Sequence, residues 1–233
     1  MNLLLSLLAD ANIVAPVSAG VTAAPVAELN MWDLSLKGGI IMIPLLILSV
    51  LAIYIFIERA IVIRKAARED HTFMDRIKDY IHEGDVAAAL NLCKKTDTPY
   101  ARLIEKGITR LGRPMNDVLV AIENVGNLEV AKLEKGFPWL ATAAAGAPMI
   151  GFLGTVTGMV RAFYNMASAG TSADISTLSG GIYEALVTTV AGLVVGIIAL
   201  FAYNYLVARV DGVVNQLEAK TMEFMDLLNE PAD

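Results

Sequence analysis

The chain has 233 residues, 56% of them hydrophobic, with a mean hydropathy of +0.58 and a formal net charge of −6. That balance excludes an ordinary soluble domain, and the lack of a basic patch interleaved with aromatics argues against nucleic-acid binding. A single cysteine, Cys93, excludes an intramolecular disulfide.

Residues 1–36 read as an external N-terminal arm. Its opening, MNLLLSLLADA, resembles a signal-peptide core but has no basic n-region and a very short apolar stretch. An interfacial or irregular arm is therefore preferred to a cleaved signal. Residues 37–64 form the first expected transmembrane helix, where Lys37 and Glu58 enclose GGIIMIPLLILSVLAIYIFI. A bilayer core needs roughly 20 apolar residues, and this run supplies them. It is bulky all round, which suits lipid contact and the outside of any assembly.

Residues 65–136 read as a helical segment outside the bilayer. Asp85 is placed to cap VAAALNLCKK, and Thr98 to cap the helix that Pro99 begins. Cys93 falls in an apolar helical pattern and reads as a buried thiol. His71 and His82 stand eleven apart with no cysteine at ligand spacing, so they read as solvated. From Asn116 a long helical pattern runs toward the next span, interrupted only by Gly136 and Pro138.

Residues 137–164 form the second expected span and 181–207 the third. The 165–180 segment between them, rich in Ser, Thr, Ala and Gly, reads as a short periplasmic loop. Residues 208–233 continue as a C-terminal helix, because Val207, Val210, Val214, Leu217, Thr221, Phe224 and Leu228 recur at three- and four-residue spacing. The fold class is an all-α membrane protein with three transmembrane helices, spans two and three extending into long cytoplasmic helices. Arg59, Arg64, Lys65 and Arg68 follow span one, and Lys132 and Lys135 precede span two. By the positive-inside rule the intervening segment and the C-terminus are cytoplasmic and the N-terminus is external.

Spans two and three differ from the first. At helical spacing span two presents Ala144, Ala147, Gly151, Thr155, Gly158 and Ala162, with Gly154 nearby. Span three presents Gly181, Ala185, Thr188 or Thr189, Gly192, Gly196 and Ala199. Small residues at such intervals let helix backbones approach closely. Pro148, two residues after Gly146, is expected to bend or loosen span two and free a carbonyl. These faces serve packing alone, or packing together with a polar path.

Thr155 lies nine residues before Tyr164, and Thr189 eight after Gly181. At about 1.5 Å per residue both sit roughly 12 Å inside the outer boundary, level across a hairpin. Either hydroxyl can return to a carbonyl one turn back. Several at matched depth, near a carboxylate, instead suggest a polar strip along an internal surface. That carboxylate is Glu184, the one charge between Asp174 and Arg209. Its readings are an acid on an ion path, a first-turn acid favoured by the helix dipole, or a partner of Arg161. Neither span carries Asp, His or Lys deep in the bilayer. If the helices conduct protons, a partner supplies the central titrating group.

The stretches Ala147–Met159, with AP leading to GFLGTVTGM, and Gly180–Asn204, GGIYEALVTTVAGLVVGIIALFAYN, resemble the MotA/TolQ/ExbB proton channel family. The likeness is to its ExbB/TolQ branch, ExbB first, and covers most of the chain beyond Trp32. The four-span MotA branch, with its larger cytoplasmic domain, fits less well. The resemblance implies a bacterial inner-membrane protein and a homopentamer whose second and third spans line a pore. It implies an ExbD- or TolR-like single-span partner carrying a membrane aspartate, and a TonB- or TolA-like transducer to the outer membrane. Thr155 and Thr189 then match the pore hydroxyls, Glu184 the acid of the third span with Thr188 beside it, and Pro148 the family proline. No cofactor is implied beyond the transported protons, and no catalysis. A TolQ-type, gliding or secretion motor and a non-conducting scaffold are the other readings.

Overall fold

The computed structural model describes residues 38–68, 71–169 and 175–229. Within them the chain forms α1 (Met42–Ala66), α2 (His71–His82), α3 (Val86–Lys95), α4 (Pro99–Ile108), α5 (Met115–Leu133), α6 (Phe137–Ala169) and α7 (Ile175–Asn229). The N-terminal arm, and with it the choice between arm and signal, lies outside the described residues. Three helices, α1, α6 and α7, are long and apolar enough to cross a membrane.

α6 and α7 form an antiparallel hairpin, the most extensive pairing in the molecule. Its rungs join Ala162 to Gly181, Gly158 to Ala185, Gly154 to Thr188, Gly151 to Gly192, and Pro148 to Gly196. α1 lies alongside α7 in the same direction, with Gly38 near Thr188 and the Phe56 and Tyr205 rings 6.1 Å apart. One side of α1 is buried through Leu45, Ala52, Ile55 and Ile63. Ile43, Leu46, Ile47, Val50, Ile53, Tyr54, Ile57 and Ile61 remain exposed on it, a surface suited to lipid or another apolar partner.

Below the spans, α2 to α5 pack on one another and on the far part of α7. Phe73, Ile77, Ala89, Cys93, Ile104, Ile122 and Phe224 belong to that core. A Cβ at Gly107 would run into the Phe224 ring and stand 2.9 Å from Ile122 Cδ1, so a glycine brings α4 onto α5 and α7. α7 is 55 residues long, about 82 Å at 1.5 Å per residue, and unites the span with this helical body. The expected seam is buried or half-buried from Val207 to Leu228, with Val213 and Leu227 added to it.

Three local expectations change and one, the Asp85 cap, holds. Span two does not run unbroken into the helix before it: Gly136 at φ 95° separates α5 from α6, a conformation that favours glycine. The connection between spans two and three is shorter than residues 165–180. α6 continues to Ala169, and α7 begins at Ile175. Alanine and methionine sustain helix there, and Ser168 donates back to the Tyr164 carbonyl at 2.9 Å. Asp85 does cap α3, accepting from the Ala88 amide at 2.9 Å. Thr98 holds the cap position of α4 in extended backbone, but its hydroxyl makes no capping bond and is buried without a partner among the described residues. Pro99 contributes the start signal instead, its fixed φ being suited to the first turn.

Candidate functional site

Three threonine hydroxyls converge where the hairpin is narrowest. A Cβ on Gly151 would stand 2.8 Å from the Thr188 carbonyl and 3.2 Å from the Gly192 Cα. One on Gly192 would stand 2.9 Å from the Gly151 Cα. The backbones therefore touch, and one helix's hydroxyls reach carbonyls of the other. Thr189 donates to the Gly151 carbonyl at 3.1 Å, and Thr155 to the Ala185 carbonyl at 3.2 Å. The Thr155 and Thr189 hydroxyls also meet across the hairpin, and because each carries one proton, a hydrogen bond between them takes the place of one of those to a carbonyl. Two residues read from sequence as level in depth are thus in contact.

Thr188 occupies a different position. It is 2% exposed, donates to Ala185 O one turn back at 2.7 Å, and lies against Gly154, where any Cβ would strike it. Its hydroxyl also reaches Gly151 O at 3.3 Å. Thr155 and Thr189 are only half-buried in the single chain. Thr157 is exposed and bonds within its own helix, to Leu153 O at 2.8 Å.

Pro148 needs no sharp break in α6: it sits inside the helix and packs its ring on Gly196, with a Cβ there only 2.6 Å from Pro148 Cδ. The α7 glycine makes room for the α6 proline. Every glycine named from the small-residue pattern, 151, 154, 158, 181, 192 and 196, sits in the hairpin contact.

Glu184 departs from its first-turn reading. α7 begins nine residues earlier, at Ile175, so the carboxylate is in the third turn and beyond most of the dipole's reach. Among the described residues no ion pair joins it to Arg161, which is exposed on α6. The half-buried carboxylate instead abuts Gly39, at φ 65° just before α1, where a Cβ would collide with Glu184 Oε1. Glu184 therefore faces the start of α1, and no hydrogen bond joins it to the threonine cluster among the described residues. Sequence reasoning missed Gly39. The signal was the Gly38–Gly39 pair at the mouth of span one.

A second polar region, also missed, joins α1 to the helical body. Glu129 is 3% exposed and accepts from Arg102 at 2.7 Å and Lys132 at 2.6 Å. Arg102 also reaches Asp97 at 2.7 Å, and Asp97 accepts from Lys65 at 3.0 Å. Arg59, counted above as a flanking cation, is buried, pairs with Glu58 and donates to the Lys132 carbonyl at 3.1 Å. Burial alone would raise the Glu129 carboxyl. The hydrogen bonds and charges of Arg102 and Lys132 outweigh it and hold the group below its usual range. Lys65 and Arg102 hold the Asp97 carboxyl down as well.

Cys93 is buried, and burial with Glu105 nearby pushes its thiol up to about 12, which leaves it unreactive. His82 is exposed at the end of α2, and the His71 side chain lies outside the described residues. Among the described residues no group of three or more His, Cys, Asp or Glu is arranged for a metal ion.

A chemistry follows from the hydroxyl cluster. It offers donors and acceptors across an otherwise apolar hairpin but no group that changes charge. It can hold water or pass a proton without storing one.

Comparisons with known proteins place the chain as a whole. The family described as the MotA/TolQ/ExbB proton channel family matches residues 95–219, from the end of α3 through most of α7. A Synechocystis protein named putative biopolymer transport protein ExbB-like 1 is 35% identical over 189 residues, 77% of this chain and 71% of that protein. The Tol-Pal system protein TolQ of Haemophilus influenzae is 29% identical over 221 residues, 88% of this chain and 96% of its own. The biopolymer transport protein ExbB of Neisseria meningitidis is 29% identical over 176 residues, 70% and 78% of the two chains. On its sequence match and its three apolar helices, the chain belongs to the MotA/TolQ/ExbB proton channel family.

Proposed function

We propose that this chain is the channel subunit of an inner-membrane motor that couples the proton motive force to transport at the outer membrane. The observation that carries the reading is the Thr155–Thr189 hydroxyl contact, half-buried in one chain and seated on carbonyls of the opposite helix. In an assembly of several copies, most simply a pentamer, that half-open side faces a shared interior. Thr155 and Thr189 wet the path there. A single-span partner of the ExbD or TolR kind contributes the titrating carboxylate that the hairpin lacks, and a TonB- or TolA-like transducer carries the work outward.

Glu184 takes the outer mouth of the path, held by its contact with Gly39. Thr188, enclosed by Gly154 and Ala185, takes a packing role beside it. The N-terminus lies on the periplasmic side, and the α2–α5 body and C-terminus in the cytoplasm. The cations that support this are Arg64 and Lys65, in the last turn of α1, and Lys132 near the start of α6.

The test is Thr155→Val in the complex with its single-span partner. Volume is kept and the hydroxyl lost, so proton-driven uptake should fall to background while native mass measurement still finds the assembled oligomer. Full uptake in this variant and in Glu184→Gln would leave the hairpin a packing scaffold without a path. A TolQ-type role in envelope maintenance is the second reading, favoured by the near-complete alignment with the Haemophilus protein. Restoration of envelope integrity, rather than of substrate uptake, in cells lacking each system separates the two.

A further inference from the structure

At the end of the spans nearest the helical body, α1 and α7 part to leave a cleft of about 230 Å³. Its polar lining is Arg64, Arg209, Tyr205 and Gln216, set among Ile63 and Leu206. Arg209 donates from Nε to the Tyr205 hydroxyl at 3.2 Å, its guanidinium stands 5.3 Å from the Tyr205 ring centroid, and Arg64 comes within range of the same hydroxyl. Neither guanidinium has an ion pair among the described residues, although Arg59, Lys65, Arg102, Lys132 and Lys220 all do. Among the described residues no carboxylate lines the cleft. It is a doubly cationic cleft with no anion of its own.

Its depth is set by the helices. Arg209 follows Glu184 by 25 residues, about 37 Å along α7, and Arg64 follows Met42 by 22, about 33 Å along α1. A hydrocarbon core is about 30 Å thick, so both cations fall at headgroup level on one side. From Tyr205 the same α1–α7 interface continues into the apolar region as a groove of about 320 Å³ lined by Ala52, Phe56, Val195, Ile198 and Ala202. Through Ser49 and Val195 it joins a further groove between the two helices, reaching Met42 and Val187. A cationic cleft thus opens onto an apolar channel along the bilayer normal.

We infer that the α1–α7 cleft binds an anionic phospholipid of the leaflet nearest the helical body, its phosphate between Arg64 and Arg209 and an acyl chain along the groove below Tyr205. Charge complementarity selects the headgroup, because an unpaired cation pair at the interface favours phosphatidylglycerol or cardiolipin over a zwitterion. The continuous apolar groove selects a lipid over a free anion. One such lipid would tie the outer helix, α1, to the hairpin that carries the threonine cluster. The inference rests on the membrane placement of the spans and not on the proton path, and its readout is lipid retention rather than transport.

The full-length protein is reconstituted in equal parts of phosphatidylcholine and phosphatidylglycerol, extracted mildly, and its retained lipid weighed by native mass spectrometry. Phosphatidylglycerol should be retained in preference to phosphatidylcholine, and the Arg64→Gln, Arg209→Gln double variant should reduce that preference about thirtyfold. An Arg64→Lys, Arg209→Lys variant keeps the charge and should stay within a few-fold of the parent, which controls for loss of the fold. Millimolar inorganic phosphate should not displace the lipid. Equal retention of both lipids by the parent, or an undiminished preference in the glutamine variant, overturns the inference. So does displacement by phosphate, which would make the cleft a free-anion pocket, or an empty cleft because a second copy of the chain fills it.

Discussion

The hydroxyl cluster at Gly151 and the carboxylate network at Glu129 are both polar interiors, built by opposite means. In the hydroxyl cluster every polar group is neutral. Thr155, Thr188 and Thr189 spend their hydrogen bonds on carbonyls that the helices already expose. At the junction of α1, α4 and α5, five charged side chains and one backbone carbonyl close on one another around Glu129. The difference follows from the solvent. A hydroxyl satisfied by a helix carbonyl costs little at membrane depth, whereas an ion there costs several kcal/mol. Near water a carboxylate tolerates burial if cations with access to solvent surround it, as Arg102 and Lys132 do here. Strong joints between elements can therefore be ionic below the membrane and must be steric within it.

The largest effect should come from breaking the steric joint. Gly192→Val places methyl groups where even a Cβ would meet the Ala147 carbonyl and the Gly151 backbone, neither of which can move aside as a side chain could. Overpacking against backbone should cost about 3 kcal/mol or more and separate α6 from α7. The chain's thermal unfolding in detergent and the protease resistance of the hairpin measure it. Retention of both at the parent level would mean that the hairpin contact is far softer than its geometry.

The ionic joint should respond less, and with a pH signature. Glu129→Gln should cost about 2 kcal/mol at neutral pH, less than a fully buried pair because Arg102 and Lys132 keep access to water. The folded carboxyl is depressed relative to an unfolded value of about 4.3, so its stabilisation is complete above that value. It is lost as pH falls through the lower folded value. Unfolding of the parent should therefore become easier as pH falls below about 4.3. The glutamine variant should show a shallower change over that range. Parallel pH profiles for the two would remove Glu129 as the source.

Much of this was legible in the sequence, because its elements follow from one-dimensional pattern. Three charge-poor runs give the spans, small residues at helical spacing give the hairpin face, and Asp85 gives the α3 cap. What escaped depends on where elements meet. Glu129 occupies a core position of the α5 seam, after Val118, Ile122 and Val125 and before Leu133, and the seam's spacing alone would have flagged a buried acid. Its partners on α1 and α4 lie far away in sequence. Glu184 was misplaced within its helix because the glycine- and serine-rich residues before it read as loop. α7 nevertheless runs through them from Ile175, with Gly181 set against Ala162 of α6.

The smallest and sharpest test lies within the hydroxyl cluster. Thr188 and Thr189 are adjacent and chemically identical, yet one is buried by its own chain and the other is left half open. Thr188→Val keeps the volume against Gly154 and removes a bond made mostly to its own helix. Gly151 O keeps Thr189 as a donor. The cost should be about 1 kcal/mol, at the ordinary worth of one hydrogen bond. Proton-driven uptake, on the proposed path, should survive it. Thr189→Val should have a stability cost of the same order and abolish uptake, because it removes both the inter-helix bond and the contact with Thr155. Measured side by side, stability and uptake should move together if the cluster only packs and separate if it conducts. Equal loss of uptake in both variants would give the path to the whole cluster. Equal retention would leave the threonines as the neutral counterpart of the Glu129 joint, holding helices and passing nothing.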